Sequence, residues 1–196
     1  IRKAAAPIAG GAITNLTPDP PADSHRPRYA PDGSAILYGR TENPEFYADR
    51  MRLWRYERGS GTHREWLGNW DLMPVQWEFA DERTLVIEAE QAARVRLFAW
   101  DGSGEPRAIT GKGSVGGFAL CQDRVAYSLQ NLVTPTELFA HPIAAGPAAG
   151  LFHLGAAEVA TPLSPALGFF RDFARLFVTR LCAIGDVEEQ RARVTV

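Results

Sequence analysis

With 196 residues, 45% of them apolar and 22% charged, the chain can bury the core of about one domain, and wholesale disorder is excluded. A formal net charge of −2 excludes the basic face that general nucleic-acid binding requires. Two cysteines, Cys121 and Cys182, are too few for a disulfide framework; the expected state is a pair of buried free thiols, with a single disulfide as the alternative.

In chain order, residues 1–11 lack the apolar h-region of a signal peptide, and a start at Ile1 suggests a trimmed chain or a fragment. Residues 12–17, after Gly10 and Gly11, read as the outer strand of a preceding sheet, and residues 18–27 as a Pro-rich connector. Residues 28–38 read strand, turn, strand. Pro31 presets φ for the turn, Asp32 bonds back to the backbone, and Gly33 supplies φ > 0. The pattern returns at 76–87 and at 117–127, which places Tyr29, Trp77 and Phe118 at equivalent positions. A further strand follows each copy, at 51–57, 95–100 and 137–142, each running into a Gly-containing turn.

A period of about 40–50 residues is that of a propeller blade. The expected fold is therefore all-β, a partial β-propeller of about three four-stranded blades over 27–69, 70–112 and 113–150. Residues 1–26 would be a tail strand and connector, and 151–196 an irregular segment, a helix and a crossover strand. An unrelated β-sandwich is the alternative. The helix is expected over 169–184, where Phe170, Phe173, Phe177, Leu181 and Ile184 fall on one face and Gly185 can cap the end. The longest apolar stretch, 167–184, is broken by Arg171, Asp172, Arg175 and Arg180, so no membrane span is expected.

Little in the chain points to catalysis. No G-x-S-x-G run occurs; the nearest approach, Gly113-Ser114-Val115-Gly116, has Lys112 where the first glycine belongs. No catalytic residue is therefore expected. His25, His63, His141 and His153 lack ligand spacing, so no metal is expected, and His25 and His63 read as solvated loop residues. No phosphate loop or dinucleotide fingerprint appears, and no cofactor is expected. Glu42, Glu45 and Asp49 form an acidic cluster on the 41–50 loop, which either is simply solvated or meets a cationic group. Trp54, Trp66, Trp70, Trp77 and Trp100 are expected to fill the spaces between blades.

One set of motifs goes further. Leu16-Thr17-Pro18-Asp19 leads into Tyr29-Ala30-Pro31-Asp32-Gly33. Tyr47-Ala48-Asp49-Arg50, Leu67-Gly68-Asn69-Trp70-Asp71 and residues 131–139 follow in order. Over about residues 10–146 this set resembles the propeller of the prolyl oligopeptidase family of serine peptidases, in its bacterial dipeptidyl aminopeptidase and acylaminoacyl-peptidase branch. Gly185-Asp186-Val187-Glu188-Glu189 resembles the crossover into that family's hydrolase domain, whereas residues 156–180 depart from its short link.

The resemblance implies a non-catalytic propeller portion that gates and binds peptide substrate for a hydrolase domain absent from this chain. Glu42, Glu45 and Asp49 would then meet the substrate amino terminus. The compartment is left open between bacterial cytoplasm and periplasm. The alternative is a TolB-like scaffold that binds protein partners. Because about three blades cannot close a ring, open blade faces and edges are expected to drive self-association.

Overall fold

The computed structural model describes residues 4–5, 12–17, 23–43, 45–133, 135–145 and 152–154. The expected helix over 169–184, the crossover at 185–189 and Cys182 lie outside the described residues.

Three four-stranded antiparallel sheets follow one another along the chain. The first blade contains β3 (Ser24–Tyr29), β4 (Ala35–Arg40), β5 (Arg52–Glu57) and β6 (His63–Glu65). The second contains β7 (Pro74–Phe79), β8 (Leu85–Gln91), β9 (Arg94–Trp100) and β10 (Arg107–Ala108). The third contains β11 (Ser114–Cys121), β12 (Arg124–Gln130), β13 (Glu137–Pro142) and β14 (Phe152–Leu154). Each strand pairs with its sequence neighbour, so every blade is a meander. Ahead of them, β1 (Ala4–Ala5) pairs with β2 (Thr14–Asn15). The first blade thus starts at Ser24 and the third reaches Leu154, a few residues outside the limits expected from the repeat.

The turns explain the repeat. Ala30 N–H donates to Ala35 O at 2.9 Å, Asp32 Oδ1 accepts Ser34 N–H at 3.0 Å, and Gly33 adopts φ 69°. In the second blade Asp81 Oδ1 does the same for the amides of Arg83 and Thr84, each at 2.7 Å. The β8–β9 hairpin closes through Ala92 and Ala93, with φ of 52° and 58°, a left-handed pair that Asn-Gly would fill without strain.

Burial follows from alternation across these strands. On one face of the second blade, Trp77, Leu85, Ile87 and Ala89 pack against Leu37 and Leu53 of the first. On the other face, Val86, Leu97 and Ala99 pack against Val115, Phe118, Val125 and Tyr127 of the third. The middle blade is covered on both sides, which is why Leu85-Val86-Ile87 reads as an unbroken apolar run. Polar links cross the joints as well: Val95 N–H donates to Ser114 Oγ at 3.1 Å, and Arg107 Nη2 to Ile143 O at 2.9 Å.

The first joint turns on one glycine. A Cβ placed on Gly39 would lie 2.5 Å from the Met51 sulfur and 2.8 Å from the Trp77 ring. The space left by the missing side chain is thus shared by Met51 of the same blade and the neighbouring blade's indole.

Two expectations need correction. Trp77 pairs with Ile87 and Phe118 with Tyr127, so these two are equivalent and both are buried. Tyr29 pairs with Ile36 next to the turn, which makes Phe79 (opposite Leu85) and Leu120 (opposite Val125) its true counterparts, and it is 58% exposed. The second blade carries aromatics at both positions, so the sequence alone offers two alignments. Cys121, moreover, is disulfide-bonded and not the free thiol expected.

Gly39→Ala is expected to destabilise the chain by about 1–3 kcal/mol through overpacking against Met51 and Trp77. Trp77→Ala should cost about 3–5 kcal/mol through the cavity it leaves. Replacing Ala92 by Asn and Ala93 by Gly should instead stabilise by about 1–2 kcal/mol as left-handed strain is relieved. Urea denaturation of the three variants checks the order.

Candidate functional site

Strand alternation sorts the loops to two ends of the blades. The loops joining second to third strands (41–51, 92–93 and 131–136) share one end with the inter-blade connections (66–73 and 109–113). Phe46, Tyr47, Met73, Leu132 and Val133 are all on that end and all exposed, Tyr47 and Leu132 completely so. Of the other exposed large apolar side chains among the described residues, Ile13 and Tyr29 lie elsewhere.

The 41–50 loop is built around Asp49. Its Oδ2 accepts the amides of Glu42 at 2.6 Å and Asn43 at 2.8 Å. Arg52 Nη1 then stands 3.5 Å from Asp49 Oδ1 and 3.6 Å from Glu42 Oε2. Arg50 ties the loop to the next connection, donating to Trp70 O at 3.0 Å and pairing with Asp71 at 3.3 Å. The Asn43 amide above all, helped by the Glu42 amide and the Arg52 guanidinium, outweighs partial desolvation and holds the Asp49 carboxyl below its ordinary 3.8.

Of the acidic cluster, Glu42 and Asp49 are thus brought together around Arg52, and Asp49 serves as the clamp of the loop. Glu45 stays apart at the exposed tip, where its own amide donates to Asn43 Oδ1 at 3.1 Å. The carboxylates that face solvent are therefore those of Glu42 and Glu45, next to the exposed rings of Phe46 and Tyr47. Such a tip can offer an ammonium group an acidic partner and an apolar surface at once.

The opposite end holds a cleft of about 400 Å³ between the second and third blades, lined by Asp81, Trp100, Asp101, Glu105, Arg107 and Asp123 among others. Asp81 and Asp101 are engaged by turn amides: Asp101 Oδ1 accepts both the amide and the hydroxyl of Ser103, at 3.0 and 2.8 Å. Sequence reading missed this grouping because its residues come from turns of two different blades. The recurring aspartates of those turns were its one visible sign.

Two histidine readings change. His25 lies within β3, and His63 lies within β6 opposite Tyr56, where the two ring centroids are 4.7 Å apart with the planes tilted by 32° and Nδ1 meets the Tyr38 hydroxyl at 2.9 Å. Burial, and secondarily the Arg40 charge, lower the pKa of His63. Four of the five tryptophans lie at the first joint as expected: Trp70, Trp77 and Trp100 are in the inter-blade cluster and Trp66 packs on it; Trp54 departs from the expectation and lies under the Arg40 guanidinium on the outer side of the first blade. Among the described residues no group of three or more His, Cys, Asp or Glu side chains could hold a metal ion. No helix among them is long and apolar enough to cross a membrane.

A stack of four-stranded meanders joined face to face by large side chains defines a β-propeller segment. The fold is shared with a putative TolB from Agrobacterium tumefaciens, with TM-score 0.55 and 13% identity over 74% of this chain and 53% of that one. It is shared as well with an acylaminoacyl peptidase from Pyrococcus horikoshii, with TM-score 0.50 and 22% identity over 66% of this chain and 20% of that one. No family model matches the chain. By sequence it is 31% identical over 156 residues to a probable dipeptidyl-peptidase 5 of Aspergillus clavatus, a stretch covering 74% of this chain and 21% of that protein. The chain is a peptidase-family propeller domain, and it spans about a fifth of the length of the curated relatives it matches.

The lowered pKa of Asp49 fixes a sign. Its hold on the loop is complete above the ordinary value of 3.8 and is lost as pH falls through the lower folded value. Acid titration followed by NMR should therefore move the Glu42 and Asn43 amide resonances below that pH. The same titration of Asp49→Asn should leave them unmoved.

Proposed function

We propose that this chain gates and binds peptide for a hydrolase domain, as the non-catalytic propeller portion of a serine peptidase of the dipeptidyl or acylaminoacyl type. The chain contains no nucleophile elbow, and the nucleophile is assigned to the partner domain. The observation that carries the reading is the concentration of exposed apolar side chains at one end of the blades, beside the Glu42 and Glu45 carboxylates. That end faces the hydrolase domain. Its apolar tips supply contact area, and the acidic tip meets the peptide's amino terminus. Asp49, Arg52 and Arg50 hold the loop in place for this role.

Calorimetric titration with short peptides tests the reading. Peptides with a free amino terminus should bind about three- to fivefold tighter than their acetylated forms, the scale of one solvent-exposed ion pair. The double replacement Glu42→Gln with Glu45→Gln should abolish that preference without lowering the melting temperature. The chain alone should not hydrolyse dipeptidyl or acyl-aminoacyl chromogenic substrates. Equal affinity for free and blocked peptides would remove the amino-terminus role. Absence of peptide binding altogether would favour a TolB-like scaffold for protein partners, using the same apolar end.

A further inference from the structure

Among the described residues, seven buried side-chain polar atoms have no hydrogen-bond partner, and four of them belong to Ser24, Arg40, Thr41 and Trp54. These four sit together on the first blade. Ser24 pairs with Arg40 across β3 and β4, and Tyr38, two residues before Arg40, pairs with Trp54. Strand alternation therefore puts the side chains of Ser24, Tyr38, Arg40 and Trp54 on one face. It is the face turned away from the second blade, since Leu37 and Leu53 occupy the other. The Arg40 guanidinium stands 4.9 Å from the centre of the Trp54 ring, and Thr41 follows Arg40 directly. Charge on this face is unequally shared. Arg40 and Arg52 oppose each other as a cross-strand pair, and like charges so placed repel. Arg52 has three carboxylates around it, those of Asp49 at 3.5 Å, Glu42 at 3.6 Å and Glu65 at 3.9 Å. Arg40 has none at ion-pair distance among the described residues.

We propose that Ser24, Arg40 and Trp54 form a carboxylate-binding station on this face, and that its occupant is an acidic side chain of a protein partner packing on the blade. The chemistry of the orphaned atoms selects the ligand. Arg40 Nε–H and Trp54 Nε1–H can only donate, and the Ser24 hydroxyl, on a residue 1% exposed, can donate as well. What the cluster lacks is an acceptor, and beside an unpaired guanidinium the favoured acceptor is an anion. A carboxylate brings two oxygens and about four acceptor positions, enough for all of these donors. The Tyr38 hydroxyl does not meet the need, because it is engaged with His63 Nδ1 at 2.9 Å. Two further features favour a protein source. Arg40 is half-buried, so its guanidinium is within reach of a group arriving from outside. Tyr29, Tyr56 and His63 lie in one cross-strand row on the same face, and their rings offer contact area to the apolar neighbours of an acidic side chain. An arriving carboxylate would also relieve the repulsion between Arg40 and Arg52. The inference does not rest on the peptide-gating reading, which concerns the loop tips.

Proton–nitrogen NMR of the full chain tests the station, with end-blocked tetraglutamate as the probe and end-blocked tetraglutamine as its control. Tetraglutamate should move the Trp54 Nε1–H and Arg40 Nε–H resonances to saturation, and tetraglutamine should leave them in place. Arg40→Gln should weaken the Trp54 response by about tenfold or more, the scale of a charge-assisted bond. Ser24→Ala removes a hydroxyl alone and should weaken it by about two- to tenfold, the scale of one hydrogen bond. Should Arg40→Gln fail to fold, Ser24→Ala decides. Arg64→Gln, on the opposite face of the same blade, should change nothing. A response that never saturates, that survives Ser24→Ala undiminished, or that falls equally in Arg40→Gln and Arg64→Gln means diffuse charge attraction, and the proposal fails. A single-stranded DNA tetranucleotide that displaces tetraglutamate and binds more tightly would overturn the assignment to a protein carboxylate.

Discussion

The insertion of Trp77 into the space left by Gly39 is the contact on which the rest of the structure depends. A four-stranded meander has two faces, and neither can be left to water without losing the apolar burial that holds it. Stacking solves this only where the faces fit. Trp77 is 1% exposed and sits among Leu37, Leu53, Leu85 and Ile87 from both sheets, so the joint is a continuous core and not a contact between finished units. The second joint repeats the solution with Phe118 at the equivalent place.

The loops inherit their positions from that rigid stack. The 41–50 loop is longer than a hairpin turn needs, and it is held by charge and hydrogen bonds: Asp49 gathers two amides, and Arg52 satisfies Asp49 and Glu42 together. A polar clamp of this kind leaves the tip free to present rings and carboxylates to solvent. The opposite end is built from short aspartate turns whose carboxylates are already engaged by their own backbone. The two ends therefore differ in chemistry: among the described residues, Phe46, Tyr47, Met73, Leu132 and Val133 stand exposed at the loop end, while the turn end is dominated by engaged carboxylates.

Much of the fold was legible because its signals are local. Asp32-Gly33 and the alternating strands at its sides specify a hairpin without help from the rest of the chain, and the three copies announce three sheets. Registration between blades was harder. Tyr29 matches Trp77 by residue type but Phe79 by pairing, and only the hydrogen-bonded register separates the two. The acidic cluster was half legible. Proximity in sequence placed Glu42, Glu45 and Asp49 on one loop, but it could not reveal that Arg52 draws Asp49 into a structural role. The cleft lined by Asp81, Asp101, Glu105 and Asp123 was out of reach, since no local rule predicts how far apart two blades hold their turns.

The blades also have a direction. The leading face of the first carries Tyr29, Ile36, Tyr38, Trp54 and Tyr56, and the trailing face of the third carries Gly117, Ala119, Ala126 and Ala140. Within the third blade itself the leading face carries Phe118 and Tyr127 where the trailing face carries Gly117, Ala119 and Ala126, so in that sheet bulk leads and smaller side chains trail. A gene segment encoding one such sheet, copied in tandem, would meet its twin with a protrusion against a recess every time, whereas an inverted copy would set bulk against bulk. Lengthening by duplication is thus written into the asymmetry of a single repeat.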